Sequence, residues 1–117
     1  MQHWGLSTHI DLRDCQPGKI IRKEAIERYV ISLCELMEVT RYGNPTIVRF
    51  GARPEIAGFS LVQLIETSCV TGHFVDSDHS AYIDVFSCNA YDVQAVVDYT
   101  CRYFGCQEFS YSILSRK

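Results

Sequence analysis

The sequence predicts an α+β fold: a two-layer α/β sandwich with a mainly antiparallel sheet and two helices on one face of it. Apolar and polar residues alternate near both ends of the chain, over residues 6–13 and 108–114, which is the pattern of half-buried strands. Two longer segments instead repeat their apolar residues at the spacing of an amphipathic helix. Turn residues separate these segments, and no internal repeat is present.

After the first strand, the first half of the chain is expected to hold one helix and one short strand. Apolar residues at i, i+4, i+7 and i+11 predict an amphipathic helix over residues 22–37, which follows turn residues at 15–18. Residues 46–50 are expected to form a short strand, and residues 51–58 are expected to form a loop.

The second half is expected to hold two strands, a helix and the last strand. Residues 59–67 and 80–87 are rich in β-branched and aromatic residues, and a polar connection is expected between them. Asn89 is expected to cap a helix over residues 90–104, and Gly105 suits the position after its end. The predicted order is therefore strand, helix, three strands, helix, strand.

Length and composition indicate a single domain, residues 1–117, with enough apolar residues for a core. The net charge is -3 and the basic residues are scattered, which argues against nucleic acid or an anionic membrane as a partner. The first residues lack the pattern of a signal peptide, and no apolar run approaches the length of a membrane span. These features predict a cytoplasmic protein.

The six cysteines are consistent with that compartment, because no secretion signal accompanies them. No two of them have the C-x-x-C spacing that is typical of zinc sites, so no metal is expected. Most are interpreted as small buried hydrophobic residues in a reducing cytoplasm.

The residues whose side chains are best suited to catalysis lie between Ser60 and Asn89. Ser68, His73 and Cys88 supply a hydroxyl, an imidazole and a thiol, and we expect them to converge. Taken singly, each has an ordinary structural role, as a turn serine, a hydrogen-bonded histidine and a buried strand cysteine. The spacing of these residues along the chain is the reason to consider a catalytic role.

The spacing of these residues resembles a sequence pattern of the short prokaryotic S-adenosylmethionine decarboxylases. These are pyruvoyl-dependent enzymes of spermidine synthesis. The family pattern is S-G-V-x-x-x-x-E-S-H-x-[ST]-I-H-T-W-P-E, followed by a strand that ends in D-[IL]-F-T-C-G. Ser60 and Ser68 take its two serines, Thr71 takes its [ST] position, and His73 takes its histidine. Residues 84–89, D-V-F-S-C-N, take the closing motif without a gap. The order of elements is similar over nearly the whole chain.

The resemblance implies that the chain cuts itself. In such enzymes the hydroxyl of the serine, here Ser68, attacks the preceding carbonyl, here that of Thr67. Elimination then leaves residues 1–67 as a β chain and residues 68–117 as an α chain that begins with a pyruvoyl group. The ketone of this group forms a Schiff base with a small amino-acid substrate and accepts the electrons released with carbon dioxide.

The resemblance also implies roles for three further residues. Ser60 and His73 would assist the cleavage, because a hydroxyl is a poor nucleophile unless a neighbour manages its proton. Cys88 would return a proton to the substrate carbanion. The short form of the family is a homodimer with active sites near the subunit interface, so a homodimer is expected here.

The chain departs from the family pattern at positions that bear on the substrate more than on the reaction. Around the cleavage serine, Thr67 replaces the family's glutamate and Cys69 replaces its histidine. Further along, Gly72 replaces the isoleucine before His73, and residues 74–77 replace T-W-P-E. On an ungapped count, Pro54 stands where the family has the phenylalanine that stacks on adenine. Residues that hold the nucleoside in the family are thus absent, and a changed substrate is expected.

A basic amino acid, arginine or ornithine, is therefore expected as the substrate ahead of S-adenosylmethionine, because some relatives of these enzymes act on basic amino acids. Asp76 and Asp78 offer carboxylates to a guanidinium or ammonium group, and Asp11 shares a strand face with His9 that can line a pocket. The open alternatives are that Asp76 and Asp78 are solvated loop residues and that His9 and Asp11 form a pairing on an exposed face. A second function also stays open, that of an uncleaved, non-catalytic paralogue that binds or regulates a partner decarboxylase.

Overall fold

A computed structural model describes residues 4–117 of the chain. These residues form six strands and three helices: β1 (Gly5–Arg13), α1 (Pro17–Ile20), α2 (Lys23–Met37), β2 (Thr46–Phe50), β3 (Gly58–Ile65), β4 (Ser68–Val75), β5 (Ser80–Ser87), α3 (Val93–Phe104) and β6 (Glu108–Arg116). All neighbouring strands are antiparallel, in the order β2-β3-β4-β5-β1-β6. The predicted α+β fold is confirmed.

One strand and one helix were not predicted. The polar connection expected after residue 67 is mostly strand β4, whose Val70 and Phe74 are buried while the residues between them are small or polar. Gly72 and those polar residues weaken the alternation that identifies a strand. The expected turn at 15–18 instead opens α1, because the fixed φ of Pro17 suits the first turn of a helix.

The ends of α3 test the two capping predictions. Asp92, not Asn89, caps the helix, since its side chain accepts a hydrogen bond from the backbone N–H of Ala95 at 3.1 Å. Gly105 follows the helix as predicted, with a left-handed φ of 60° that glycine adopts without steric cost.

The core lies between the sheet and the two longer helices. Alternate strand residues such as Ile10, Val70 and Ile83 are fully buried against the apolar faces of α2 and α3. Each such side chain stabilises the fold by roughly 1.5–3 kcal/mol when it leaves water. The buried hydroxyls of Tyr29 on α2 and Thr100 on α3 share a hydrogen bond of 2.7 Å, which fixes the two helices against each other.

The other side of the sheet, which we call the outer face, carries no helix within residues 4–117. It exposes apolar side chains on β2 and β3, including Val48, Val62 and Leu64. It also carries Ser60 and His73, because both alternate with buried neighbours along their strands. The outer face is therefore an apolar surface with polar groups set into it.

Within the part of the chain that the structure describes, no helix combines the length and the apolar composition needed to cross a membrane.

Candidate active site

Ser68 lies directly after a two-residue turn that joins β3 to β4. Ile65 and Ser68 face each other across this hairpin, with Glu66 and Thr67 in the turn. The Ser68 hydroxyl donates a hydrogen bond to the carbonyl oxygen of Thr67 at 2.6 Å. The backbone N–H of Cys88 donates to the same hydroxyl at 2.9 Å. These two bonds hold the Ser68 oxygen beside the peptide bond that precedes it.

Thr67 occupies an unusual backbone conformation. Its φ is 65°, in the left-handed region that β-branched residues rarely adopt because Cβ crowds the backbone. Such a conformation costs roughly 1–2 kcal/mol and often marks a functional position. Its hydroxyl donates to the carbonyl oxygen of Glu66 at 2.7 Å and contacts the sulfur of Cys88. Thr67 therefore combines a strained backbone with a side-chain contact to the Cys88 thiol.

Ser60 and His73 form a second pair on the outer face. They oppose each other in the register of β3 and β4, and the Ser60 hydroxyl lies 2.9 Å from Nδ1 of His73. The imidazole is exposed. A hydroxyl hydrogen-bonded to an imidazole is an arrangement that can move a proton.

The two groups do not converge within one chain. Ser68 and His73 are five residues apart on β4, which separates them by about 17 Å along an extended strand. An odd separation also puts their side chains on opposite faces of the sheet. The structure therefore brings Ser68 to Cys88 and Ser60 to His73, but it does not bring His73 to Ser68 within one copy.

A pocket of about 210 Å³ opens beside the Ser60–His73 pair, and Phe50, Ile56 and Phe59 form much of its apolar wall. Gly58 lies at the edge of this pocket and allows the backbone of β4 to approach closely, because a Cβ at that position would collide with the carbonyl oxygen of Phe74. Pro54 does not line this pocket. The ungapped count gave Pro54 the aromatic position, but Phe50 is the residue before the β2–β3 loop that lines the pocket.

Two of the three aspartates named as substrate ligands, Asp76 and Asp78, already have partners in the chain. Asp76 forms an ion pair with Arg49, which raises the pKa of the guanidinium. Asp78 accepts hydrogen bonds from the hydroxyl of Ser80 at 2.7 Å and from its backbone N–H at 3.1 Å. These bonds, chiefly the one from the hydroxyl, hold the pKa of Asp78 below its usual value of 3.8.

Asp11 lies on β1, opposite Tyr82 of β5 on the outer face. Its neighbour on that face, His9, pairs with Asp84 at 2.8 Å between Nδ1 and Oδ1. This pair was not predicted from the sequence, although His9 and Asp84 lie opposite each other in the β1–β5 register. The proximity of His9 and Asp84 can be inferred only when the pairing of β1 with β5 is known.

Only Cys15 and Cys34 of the six cysteines are buried, so the expectation that most of them are buried is wrong; the other four are partly exposed. Burial raises the pKa of Cys15 and of Cys101 to about 12, and that of Cys34 to about 11. Their thiols therefore stay protonated near neutral pH and are poor nucleophiles. Cys88 differs from them in its contacts, since it touches the hydroxyl of Thr67 and its amide binds Ser68.

Comparison with solved structures defines the class of fold. The chain is similar to the crystal structure of the adenosylmethionine decarboxylase from Aquifex aeolicus VF5, with a TM-score of 0.83 and 19% sequence identity. The match covers 99% of this chain and 92% of that one. At this identity the likeness establishes the fold alone.

The family follows from the sequence match. The family model described as S-adenosylmethionine decarboxylase matches residues 6–117, so the chain belongs to the S-adenosylmethionine decarboxylase family. This confirms the resemblance found in the sequence. A search of curated proteins gives no match.

Proposed function

We propose that the protein is a self-processing, pyruvoyl-dependent decarboxylase of polyamine biosynthesis that acts in the cytoplasm. Its substrate is an α-amino acid whose side chain carries a positive charge, a class that includes S-adenosylmethionine, arginine and ornithine. The contact between the Ser68 hydroxyl and the Thr67 carbonyl, 2.6 Å long, is the observation that carries the proposal. Membership of a decarboxylase family supports it.

The cleavage uses groups that already touch. The Ser68 oxygen attacks the carbonyl carbon of Thr67, the C–N bond breaks, and the Ser68 amine takes a proton, which leaves an ester. Loss of the Ser68 α-proton then expels the Thr67 carboxylate and leaves a dehydroalanine. This residue tautomerises to an imine, and water releases ammonia and leaves a ketone. The left-handed Thr67 favours the first step, because cutting the peptide releases its strain.

The surroundings of Ser68 fit a pyruvoyl group at the new N-terminus. When present, this group supplies a carbonyl that binds the substrate amine and accepts the electron pair released with carbon dioxide. The Cys88 amide donates at this position, where it can orient an oxygen atom. The Cys88 thiol donates a proton to the substrate carbon in this proposal, and its contact with Thr67 Oγ1 beside the cleavage point supports that role.

A homodimer resolves the separation between the two groups. Ser60 and His73 lie on the outer face, which is apolar and exposed around Val62 and Leu64. An exposed apolar face of this kind is typical of a protein interface. We propose that two copies pack through their outer faces and that the Ser60–His73 pair of one copy lies at the β3–β4 turn of the other. The pair assists the cleavage there from the end of the strands, where Thr67 is exposed, although the Ser68 side chain points to the opposite face of the sheet.

Two features bear on the substrate. The pocket beside Ser60 and His73 has an aromatic wall, of which Phe50 is exposed and able to stack on an adenine ring. Asp76, by contrast, is already paired with Arg49, so a guanidinium substrate would have to compete with an internal guanidinium. The pocket therefore favours S-adenosylmethionine, and the pairing of Asp76 with Arg49 weighs against a basic amino acid.

The second candidate function is an uncleaved paralogue that binds or regulates a partner decarboxylase. The observation that favours it is the presence of Thr67 and Cys69 where the family has a glutamate and a histidine around the cleavage serine.

Release of carbon dioxide from carboxyl-labelled substrates tests the proposed reaction. S-Adenosylmethionine, arginine, ornithine and lysine are assayed separately, with the Ser68→Ala variant as the inactive control. Turnover of one substrate by the wild type alone supports the proposal and identifies the substrate. If no substrate turns over, even after cleavage has been verified by mass, the decarboxylase assignment fails for this class of substrates.

A further inference from the structure

Strand β6 forms an open edge of the sheet. Among the described residues it pairs only with β1, and every one of its nine residues is exposed. Natural edge strands are usually protected by charges, prolines or bulges, because their free N–H and C=O groups can pair with another chain. The central residues 109–115 contain no charge and no proline. This edge therefore lacks the usual protection.

The face of β6 on the helix side is apolar as well. Phe109, Tyr111 and Ile113 alternate along it and are 53%, 41% and 50% exposed. They follow the buried side of β1, since Phe109 and Tyr111 pair with Leu12 and Ile10. The Tyr111 hydroxyl makes a long polar contact with a helix, 3.5 Å from Oε1 of Gln94 on α3. The apolar layer of the sandwich thus continues beyond its cover of helices.

The charges at the two ends of β6 identify the partner. An antiparallel pair of two β6 strands centred on Ser112 places Glu108 of each copy opposite Arg116 of the other. In the same register Tyr111 lies opposite Ile113, an aromatic and β-branched pair that stabilises sheets. A shift of two residues in either direction leaves Glu108 and Arg116 without each other. The sequence of the strand is therefore complementary to itself in one register.

We propose that β6 binds β6 of a second copy of this chain about a two-fold axis at Ser112. The two six-stranded sheets then join into one continuous sheet, and the apolar rows of both copies meet on the helix side. Such an interface is isologous, with the same surface on both subunits. It uses the edge of the sheet and leaves the outer face free, so it does not depend on the proposed function.

Cross-linking at the axis tests the register. In the proposed pair the two Ser112 Cβ atoms lie about 4.5–5.5 Å apart, close enough for a disulfide after Ser112→Cys. The matched control is Ser110→Cys on the same strand and face, where the two copies of the residue are about 13 Å apart. With the thiol oxidant diamide, Ser112→Cys should give a reducible dimer, whereas Ser110→Cys and the wild type should not. Equal cross-linking of both variants, or none with Ser112→Cys, overturns the proposal.

Charge exchange tests the same interface without a cross-link. Sedimentation velocity over a concentration series should show weaker association for Glu108→Arg and for Arg116→Glu, because each sets like charges against each other. Two exposed pairs per interface predict a loss of about 2- to 30-fold in affinity. The double variant should recover association, because it restores opposite charges in exchanged positions. A double variant as weak as the sum of both single variants overturns the proposed pairing, and circular dichroism establishes that each variant folds.

Discussion

His73 and Ser68 lie on the same strand, about 17 Å apart and on opposite faces of the sheet. His73 is bound to Ser60, and Ser68 is bound to Thr67 and Cys88. An imidazole at this distance cannot manage the proton of the Ser68 hydroxyl in its own chain, since such transfer needs hydrogen-bond reach. Assistance to Ser68 by an imidazole therefore has to come from the Ser60–His73 pair of a second copy.

Cleavage should occur between copies when complementary variants are combined. Ser68→Ala and His73→Ala chains should each remain uncut when expressed alone. When they are co-expressed with different tags, the His73→Ala chain keeps its Ser68 and receives an imidazole from its partner, so it should be cut. Mass spectrometry of each tagged chain measures the cut fraction.

The control for this experiment replaces the Ser68→Ala chain with a chain that carries both substitutions. No intact His73 is then present, and the His73→Ala chain should stay whole. An uncut His73→Ala chain in the complementary mixture, under conditions where the wild type is cut, would refute the shared site.

Relief of backbone strain at Thr67 should stabilise the uncut chain. In a Ser68→Ala background, where cleavage is blocked, Thr67→Gly should raise the free energy of unfolding by about 1 kcal/mol, because glycine adopts the left-handed region freely. Thr67→Val keeps the branched shape and loses the hydroxyl, so it should be less stable than the threonine parent. Urea denaturation measures both differences.

The same strain should speed cleavage when Ser68 is intact. If about 1 kcal/mol of it is released on the way to the transition state, Thr67→Gly should slow cleavage about fivefold. A glycine variant that is no more stable than its parent and is cut at the wild-type rate would contradict the role of strain.

The fold could be predicted from sequence because periodicity marks the core face of each element. Strands β1, β3 and β5 and helix α2 were predicted within a few residues, since their buried residues alternate or follow the helical stripe. Strand β4 was missed because Gly72 and small polar residues interrupt its pattern. The cap of α3 was placed three residues early, since both Asn89 and Asp92 have side chains suited to capping.

The site could be predicted only in part. The spacing identified Ser60, Ser68, His73 and Cys88, but a list of residues does not show which of them share a face or an end of the sheet. The strand that separates Ser68 from His73 was the one that was missed, so their expected convergence was wrong for a single chain. The pocket wall at Phe50 was missed because the length of a loop, rather than a pattern, decides which residue reaches Ser60.

Acid should remove the contribution of the Asp78 turn to stability. The folded-state pKa of Asp78 is lowered, so its bonds stabilise the fold above the ordinary value of 3.8, and this contribution disappears as the pH falls through the folded pKa. Ser80→Ala removes the hydroxyl bond, which is the larger cause of the shift. The variant should therefore be less stable than the wild type at pH 6, by about 0.5 kcal/mol because the carboxyl is largely exposed.

The free energies of unfolding of the wild type and of Ser80→Ala should become equal at pH values well below 3.8. Urea denaturation from pH 6 to pH 2.5 measures them, and Ser77→Ala in the same turn is the matched control. A difference that is constant across this range would show that Ser80 acts through packing rather than through the Asp78 carboxylate.

Removal of the Phe50 ring from the pocket wall should affect the KM for S-adenosylmethionine more than the KM for basic amino acids. Stacking on a base contributes roughly 1–3 kcal/mol, so Phe50→Ala should raise KM for S-adenosylmethionine by about 5- to 150-fold. The KM for arginine or ornithine should stay within about twofold, because these substrates carry no base. Pro54→Ala, in the same loop region but outside the pocket, is the control. An equal effect of Phe50→Ala on all substrates would contradict a nucleoside site at this wall.

The intact mass of the purified protein under reducing conditions tests the central claim most directly. The account predicts two species for the wild type, residues 1–67 and residues 68–117, with the second lacking a free amino group at its N-terminus. The Ser68→Ala variant should give a single species of full length. A single uncut wild-type mass after prolonged incubation of the folded protein would contradict self-processing and would favour the non-catalytic paralogue.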